Sequence, residues 1–183
     1  MNEPAHLDEA INRVICQLNR LPWKGKILGR VWEAERSIVG KDRPTLIPRA
    51  HLQGSEYEDA RPSDKFDSLL AFYPIPSEGE KADFYRLNHS KRHAIRSERK
   101  IHLLGWINLQ QTAMQLERCK IDLYKALKEE PCVIRIESWL DGRFTEVWRP
   151  FELVDAERKY DLYPFACFRV EITLFYIEPH KNA

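Results

Sequence analysis

The histidines are the residues of this chain whose type and spacing could bind a metal ion. His89 and His93 stand four positions apart, and on a helix that spacing presents two imidazoles to one ion. The residues between them are Ser90, Lys91 and Arg92, and a basic neighbourhood repels a cation. We therefore expect no metal and no cofactor.

The cysteines give the same expectation. The chain has four of them, Cys16, Cys119, Cys132 and Cys167, with no C-x-x-C pair and no histidine at zinc-finger spacing. Each lies in a segment that reads as helix or strand, where a free thiol behaves as a small apolar side chain. We expect reduced cysteines in or near the core.

No pattern of catalytic residues stands out. The glycines form neither a phosphate loop nor a dinucleotide fingerprint, and no serine or cysteine lies in a nucleophile motif. Glu137 and Glu171 lie on predicted strands, but neither is followed two positions later by the lysine that a carboxylate-type nuclease needs. Arg135 and Arg169 lie two positions before them, so ion pairs on a solvated face are the simpler interpretation. We expect no enzyme.

The stretch 86–100 is strongly basic. Its only carboxylate is Glu98, and its cations are Arg86, Lys91, Arg92, Arg96, Arg99 and Lys100. Three interpretations stay open: a phosphate-contacting loop, a solvated surface excursion, or a loop that meets an acidic patch on a neighbouring copy. The chain supplies such a patch in Glu56, Glu58, Asp59, Asp64 and Asp67.

Length and composition define the broad class. The 183 residues (21.7 kDa) suffice for a sizeable core without disulfide or metal, and 43% of them are apolar, as in a soluble globular protein. Because 29 cations oppose 28 anions, no net field steers the chain onto DNA or an anionic membrane. No apolar run approaches the roughly 20 residues of a membrane span, and residues 1–6 lack the layout of a signal peptide.

Hydrophobic periodicity predicts the elements that would position these residues. Two amphipathic helices are expected at 7–21 and 112–128, the second with Thr112 as its N-cap. Residues 44–65 are expected to be irregular because of their prolines, and 77–100 to be a polar excursion between strands. Strands are expected at 26–36, 69–75, 101–109, 133–140 and 166–177, with Asp141-Gly142 as a hairpin turn, a return strand at 143–148 and a short helix within 151–160.

This order of elements lacks the regular alternation of a β-α-β protein and predicts the α+β class. The simplest packing is a single, mostly antiparallel β-sheet with two main α-helices on one face. Because neither a linker nor an internal repeat is visible, residues 1–183 are expected to form one domain that carries the excursion at about 77–100. Five tryptophans and seven tyrosines tilt the expectation toward a protein that assembles.

Several stretches together resemble the tail-terminator (tail-completion) proteins of long-tailed phages and prophages. The middle block runs from Gly54-Ser55-Glu56-Tyr57-Glu58-Asp59 through Pro62-Ser63-Asp64-Lys65 to Leu70-Ala71-Phe72-Tyr73. The step Leu103-Leu104-Gly105-Trp106-Ile107-Asn108-Leu109 is similar to their passage into the second helix, and Tyr163-Pro164-Phe165-Ala166-Cys167-Phe168-Arg169 resembles the start of their last strand. The opening helix followed by Leu21-Pro22-Trp23 fits as well, whereas the basic stretch matches nothing in the pattern.

The resemblance implies a structural subunit without catalytic activity. It would form a ring, expected to be a hexamer, that caps the finished tail tube and contacts tail-tube and head-completion proteins, in the virion or the bacterial host cytoplasm. The residues expected at such contacts are Tyr57, Asp64, Arg169, Glu171 and Thr173. The alternative is a nucleic-acid-binding or nuclease accessory protein that uses Arg86–Lys100.

Overall fold

The structure is a computed structural model and describes residues 5–36, 44–51, 57–75, 81–86, 93–151 and 157–179. Two long helices, α1 and α2, and two single-turn helices, α3 and α4, accompany eight strands. In chain order these are α1 (Ala5–Leu18), β1 (Lys26–Arg36), β2 (Thr45–His51), β3 (Tyr57–Asp59), β4 (Ser68–Pro74), β5 (Lys81–Arg86), β6 (His93–Asn108), α2 (Leu116–Glu129), β7 (Val133–Gly142), α3 (Phe144–Val147), α4 (Glu157–Tyr160) and β8 (Phe165–Pro179).

The strands form one mixed, mostly antiparallel sheet in the order β3-β2-β1-β4-β6-β8-β7, with β5 paired to β6 beside β4. The pair β1–β4 is parallel, and the other described pairs are antiparallel. The long strands β6 and β8 pair along almost their whole length, from Ala94 with Pro179 to Asn108 with Phe165. The α+β class predicted from the sequence is confirmed.

Both long helices pack on one face of the sheet, as predicted. The apolar stripe of α1, which includes Leu7, Ile11 and Val14, meets Leu123 and Leu127 of α2 and the inward side chains of β4, β6 and β8 in one buried cluster. We call this side of the sheet the helix face. Because apolar residues recur every three or four positions in each helix, one stripe of each helix can be removed from water.

The opposite face carries a second core over half of the sheet. Here Leu104 and Trp106 of β6 pack with Phe144, Trp148 and other residues that α3, α4 and the β1–β2 ribbon lay across the strands. The strand β4 is buried along its whole length because it has a core on each side. Its apolar residues at both parities predicted this burial.

The predicted hairpin after β7 is wrong. Asp141 and Gly142 are the last residues of β7, and the chain then enters α3 at Phe144 instead of returning as a strand. The backbone N–H of Phe144, in the first turn of α3, has no acceptor within the helix and donates to Asp161 Oδ1 at 2.6 Å. This contact joins positions far apart in the chain, so no local turn signal could reveal it.

Other boundaries differ from the predictions. Residues 44–65, expected to be irregular, contain β2 and β3, and 77–100 contains β5 and the first half of β6. The helix α2 begins at Leu116 and not near 112, because Asn108 Oδ1 accepts from the backbone of Gln110 and Gln111 and stabilises a turn there. In the segment expected to hold a short helix, only the turn Glu157–Tyr160 is helical among the described residues, and 152–156 lie outside them.

Candidate contact surface

The second core ends partway along β6 and β8, and the rest of that face is mostly polar. Beyond Leu104 and Cys167, most side chains that alternate onto this face belong to charged and hydroxyl residues, and His102, Phe175 and Ile177 lie among them. Lys100 pairs with Thr173 across β6 and β8, and Arg135 of β7 pairs with Thr173 from the other side. The three strands therefore bring charged residues that are far apart in the sequence next to one another. We call this region the charged sheet face: Arg96, Glu98, Lys100, Arg135, Glu137, Arg169, Glu171 and Thr173.

Ion pairs link most of the charged sheet face into one network of alternating sign. Lys100 Nζ lies 3.0 Å from Glu137 Oε2 and 3.1 Å from Glu171 Oε1. Arg135 lies 3.1 Å from Glu98 and 3.9 Å from Glu137, and Arg96 lies 3.2 Å from Glu98. Exposed pairs of this kind contribute roughly 0–1 kcal/mol each, so together they favour the paired arrangement of the charged groups but add little stability.

Thr173 is buried, although it was expected among the contact residues. Its side chain is only 2% exposed because longer neighbours on β6 and β7 cover it. Its hydroxyl donates to Glu137 Oε1 at 2.6 Å. This hydrogen bond and the ammonium of Lys100 hold the pKa of Glu137 below its usual range.

The other predicted contact residues lie apart from one another. Glu171 belongs to the network, whereas Arg169 is half-buried nearby and donates to the carbonyl of Glu146 at 3.4 Å. Asp64 is exposed in the loop before β4 and forms an ion pair with Lys159. Tyr57 is the first residue of the short edge strand β3. The structure thus brings Glu171, Arg169 and Thr173 together, but not Tyr57 or Asp64 with them.

The basic stretch divides between the two faces of the sheet. Arg96 and Lys100 lie on the charged sheet face, where Arg96 also covers the ring of Phe175 at 4.9 Å. Arg99 alternates to the helix face and is half-buried. Arg86 ends β5, and Lys91 and Arg92 lie outside the described residues, as does His89.

Glu98, the one acid of the basic stretch, lies beside Arg135, which was not expected from the sequence. The two residues are far apart in the chain, and their pairing depends on β6 and β7 both flanking β8. Leu162 and Tyr163, which were not predicted as contact residues, are 66% and 79% exposed in the turn before β8. Large apolar residues in such a turn are a signal for a contact site.

Two edges of the described sheet are poorly suited to strand addition. At one end β3 has three residues, and at the other end β7 carries register shifts near Arg135 and Ser138. Short edge strands and bulges hinder a further strand from pairing. At these two edges, binding through faces and protruding turns is therefore favoured over strand addition, whereas β5 has one described partner, β6, and leaves a six-residue edge.

The four cysteines differ in burial. Cys119, Cys132 and Cys167 are buried free thiols, as expected, whereas Cys16 is exposed on α1, which corrects the expectation of a core position. Within the described ranges no group of three His, Cys, Asp or Glu side chains is placed to hold a metal ion. None of the helices in those ranges is long and apolar enough to cross a membrane.

The tryptophans are mostly core residues. Trp23, Trp106 and Trp148 are buried, and Trp139 packs on the helix-face core with its ring stacked on Phe168 at 5.0 Å. Their number therefore carries no argument for assembly.

Comparison with known proteins adds no relative: no protein-family model matches the chain, and no curated protein matches it significantly.

Proposed function

We propose that this chain is a structural assembly subunit, a tail-terminator protein that forms a ring, caps a phage tail tube and joins it to the head. The observation that carries the proposal is the charged sheet face. Its ionic groups are paired with one another on an open surface by hydrogen bonds and ion pairs. A surface whose side chains already favour one arrangement loses less entropy when a partner docks, as expected of a protein that acts by binding other subunits.

The alternation of signs supports recognition of a matching protein surface. Lys100 lies between two carboxylates, and Glu98 lies between two arginines. Such a pattern selects partners by register, because a shifted partner would place like charges opposite one another. A uniform anion such as a nucleic-acid backbone gains little from it.

The nucleic-acid alternative is disfavoured by the same contacts. Arg96 and Lys100 already have carboxylate partners, and a phosphate would have to displace them. We expect weak retention on heparin and no binding to duplex DNA at physiological salt. Retention that falls steeply with salt concentration would contradict this expectation and favour the alternative.

Removal of the gene from the phage or prophage that carries it tests the proposal. Flanking genes for tail-tube and capsid proteins would identify that setting. Electron microscopy of the resulting particles should show heads and tails that are not joined, and the gene supplied from a plasmid should restore joined particles. Complete particles formed without the gene would refute the proposed function.

Point variants ask whether the predicted contact residues take part. Arg169→Ala should lower the fraction of joined particles while leaving the free energy of unfolding within about 0.5 kcal/mol of the parent. Lys128→Ala, an exposed cation on the outer side of α2, is the matched control and should restore joining fully. Equal joining by both variants would remove Arg169 from the contact surface; Tyr57→Ala is tested in the same way.

A further inference from the structure

The turn between α4 and β8 presents two large apolar side chains to solvent. Leu162 and Tyr163 are more exposed than any other large apolar residue that the structure describes. Exposing adjacent leucine and tyrosine side chains is unfavourable in water, and such residues are typical anchors in protein interfaces. We call this turn the knob, residues Asp161, Leu162 and Tyr163.

The knob is held rigidly by its neighbours. Phe165 N donates to Leu162 O at 3.0 Å, and Leu109 N donates to Pro164 O at 2.9 Å. Asp161 Oδ1 accepts from Phe144 N at 2.6 Å. Because the backbone on both sides is fixed, little conformational entropy remains to be lost when the knob binds.

A groove of about 270 Å³ lies on the helix side of the molecule, between the end of α1 and the outer side of α2. Its apolar lining residues are Leu21, Pro22 and Ala126, of which Leu21 belongs to the buried core and Pro22 and Ala126 supply the accessible surface. Beside it, Ile121 is exposed on α2 and extends the apolar surface. The groove can therefore receive an apolar side chain.

The charges of the groove complement the knob. Arg118 is paired with Asp122 at 3.2 Å, but Arg20 and Lys125 have no carboxylate within ion-pair distance among the described residues. Arg20 and Lys125 outnumber the one remaining carboxylate of the lining, Glu129, so the groove carries a net positive charge. The knob brings one exposed carboxylate, Asp161, next to its apolar pair.

We infer that the knob of one copy docks in the α1–α2 groove of the next copy. Tyr163 and Leu162 would cover Pro22 and Ala126, with the carboxylate of Asp161 facing Lys125. Knob and groove are different patches, so the contact is heterologous, and a heterologous contact repeated around an axis closes a ring. The inference rests on the proposed function for the biological role of that ring, but the contact itself can be tested alone.

Cross-linking between copies tests the contact. In a Cys16→Ser background, one preparation carries Leu162→Cys and a second carries Ala126→Cys; they are mixed and oxidised. We expect a disulfide-linked pair that forms at least about tenfold more in the mixture than in either preparation alone. The control replaces Ala126→Cys by Glu9→Cys, which is exposed on α1 away from the groove. Equal cross-linking with the control would overturn the inference.

Light scattering over a concentration series gives a second measurement without cysteine. Tyr163→Ser and Lys125→Glu should each weaken self-association, Tyr163→Ser by at least about tenfold. Lys128→Glu, on the same helix but outside the groove lining, should leave it unchanged. A parent protein that stays monomeric at every concentration and gives no cross-link would also overturn the inference.

The particle assay separates this inference from the proposed function. If Tyr163→Ser self-associates like the parent but fails to join heads and tails, the knob binds a different protein and the inference is wrong. If heads and tails join without the gene while the cross-link forms, the docking contact stands and the proposed function is wrong.

Discussion

Thr173 shows how one hydroxyl can organise a charged surface. It lies beneath the long side chains of the charged sheet face and donates to Glu137, which in turn contacts Lys100. A buried hydroxyl must find an acceptor, and here the acceptor is a carboxylate. The hydrogen bond therefore gives the buried hydroxyl of Thr173 its acceptor and at the same time positions the carboxylate of Glu137.

Thr173→Val is expected to lower the free energy of unfolding by about 1 kcal/mol at pH 7. The folded pKa of Glu137 is lowered by Thr173 first and by Lys100 next. Stability from such a group is present above the unfolded pKa of about 4.3 and is lost as the pH falls through the lower folded pKa. The difference between variant and parent should therefore shrink toward about pH 3.

Urea denaturation at both pH values measures this difference. Thr145→Val, a change at an exposed threonine of α3, is the matched control and should stay within about 0.5 kcal/mol of the parent. A loss of equal size at both pH values would mean that packing around Thr173, and not the ionised carboxylate, is responsible.

At the scale of elements, strong periodicity was sufficient for most predictions. The strand at 26–36 was predicted with the bounds that the structure gives, and the strand at 166–177 was predicted to within a few residues. The strand at 166–177 alternates apolar and mostly polar residues over a long run, which is the typical pattern of a strand with one buried face. The strand at 26–36 was predicted from apolar residues interspersed among charges. The helix α1 was also predictable, because its apolar residues recur at helical spacing.

The missed elements depend on partners distant in the chain. The first half of β6 is rich in charge and reads as a loop, but β5 and β8 pair with it on both sides. Likewise β2 contains Pro48 and is paired by β1 and β3. The candidate surface shares this property: single residues such as Glu171 were predictable, but their neighbours across the strands were not.

Gly105 lies where the neighbouring strand leaves no room for a larger side chain. It pairs with Phe168, whose ring stacks on Trp139, and an added Cβ would lie 2.2 Å from the Phe168 ring. Gly105→Ala is expected to lower the free energy of unfolding by about 1–3 kcal/mol because the ring must move within a packed core.

Gly29→Ala provides the matched control for that change. A Cβ at Gly29 meets nothing within 4 Å, so this variant should be neutral or slightly more stable. Chemical denaturation of both variants measures the contrast. Near-UV circular dichroism should also change for Gly105→Ala alone, since Trp139 and Phe168 stack beside it. Equal stability of the two variants would exclude the close contact.

At the scale of the whole molecule, the sheet is covered differently on its two faces. The helix face has a core to which both long helices contribute, whereas the opposite face has a core over one part and the charged sheet face over another. This asymmetry leaves the charged part of the sheet open beside a packed core. A partner can dock there without any rearrangement of the fold.

The four thiols report on this architecture because they differ in burial. Burial raises the pKa of Cys119 to about 11 and that of Cys132 to about 12, and it raises the pKa of Cys167 as well. Since the thiolate is the reactive form, a thiol reagent at pH 7–8 should modify Cys16 rapidly and the other three only at the rate of unfolding. Cys16→Ser should remove the rapid phase, and addition of denaturant should make all remaining thiols react together. A rapid phase that persists in Cys16→Ser would show that one of the two cores opens separately from the rest of the fold, because each of the other cysteines lies in one of them.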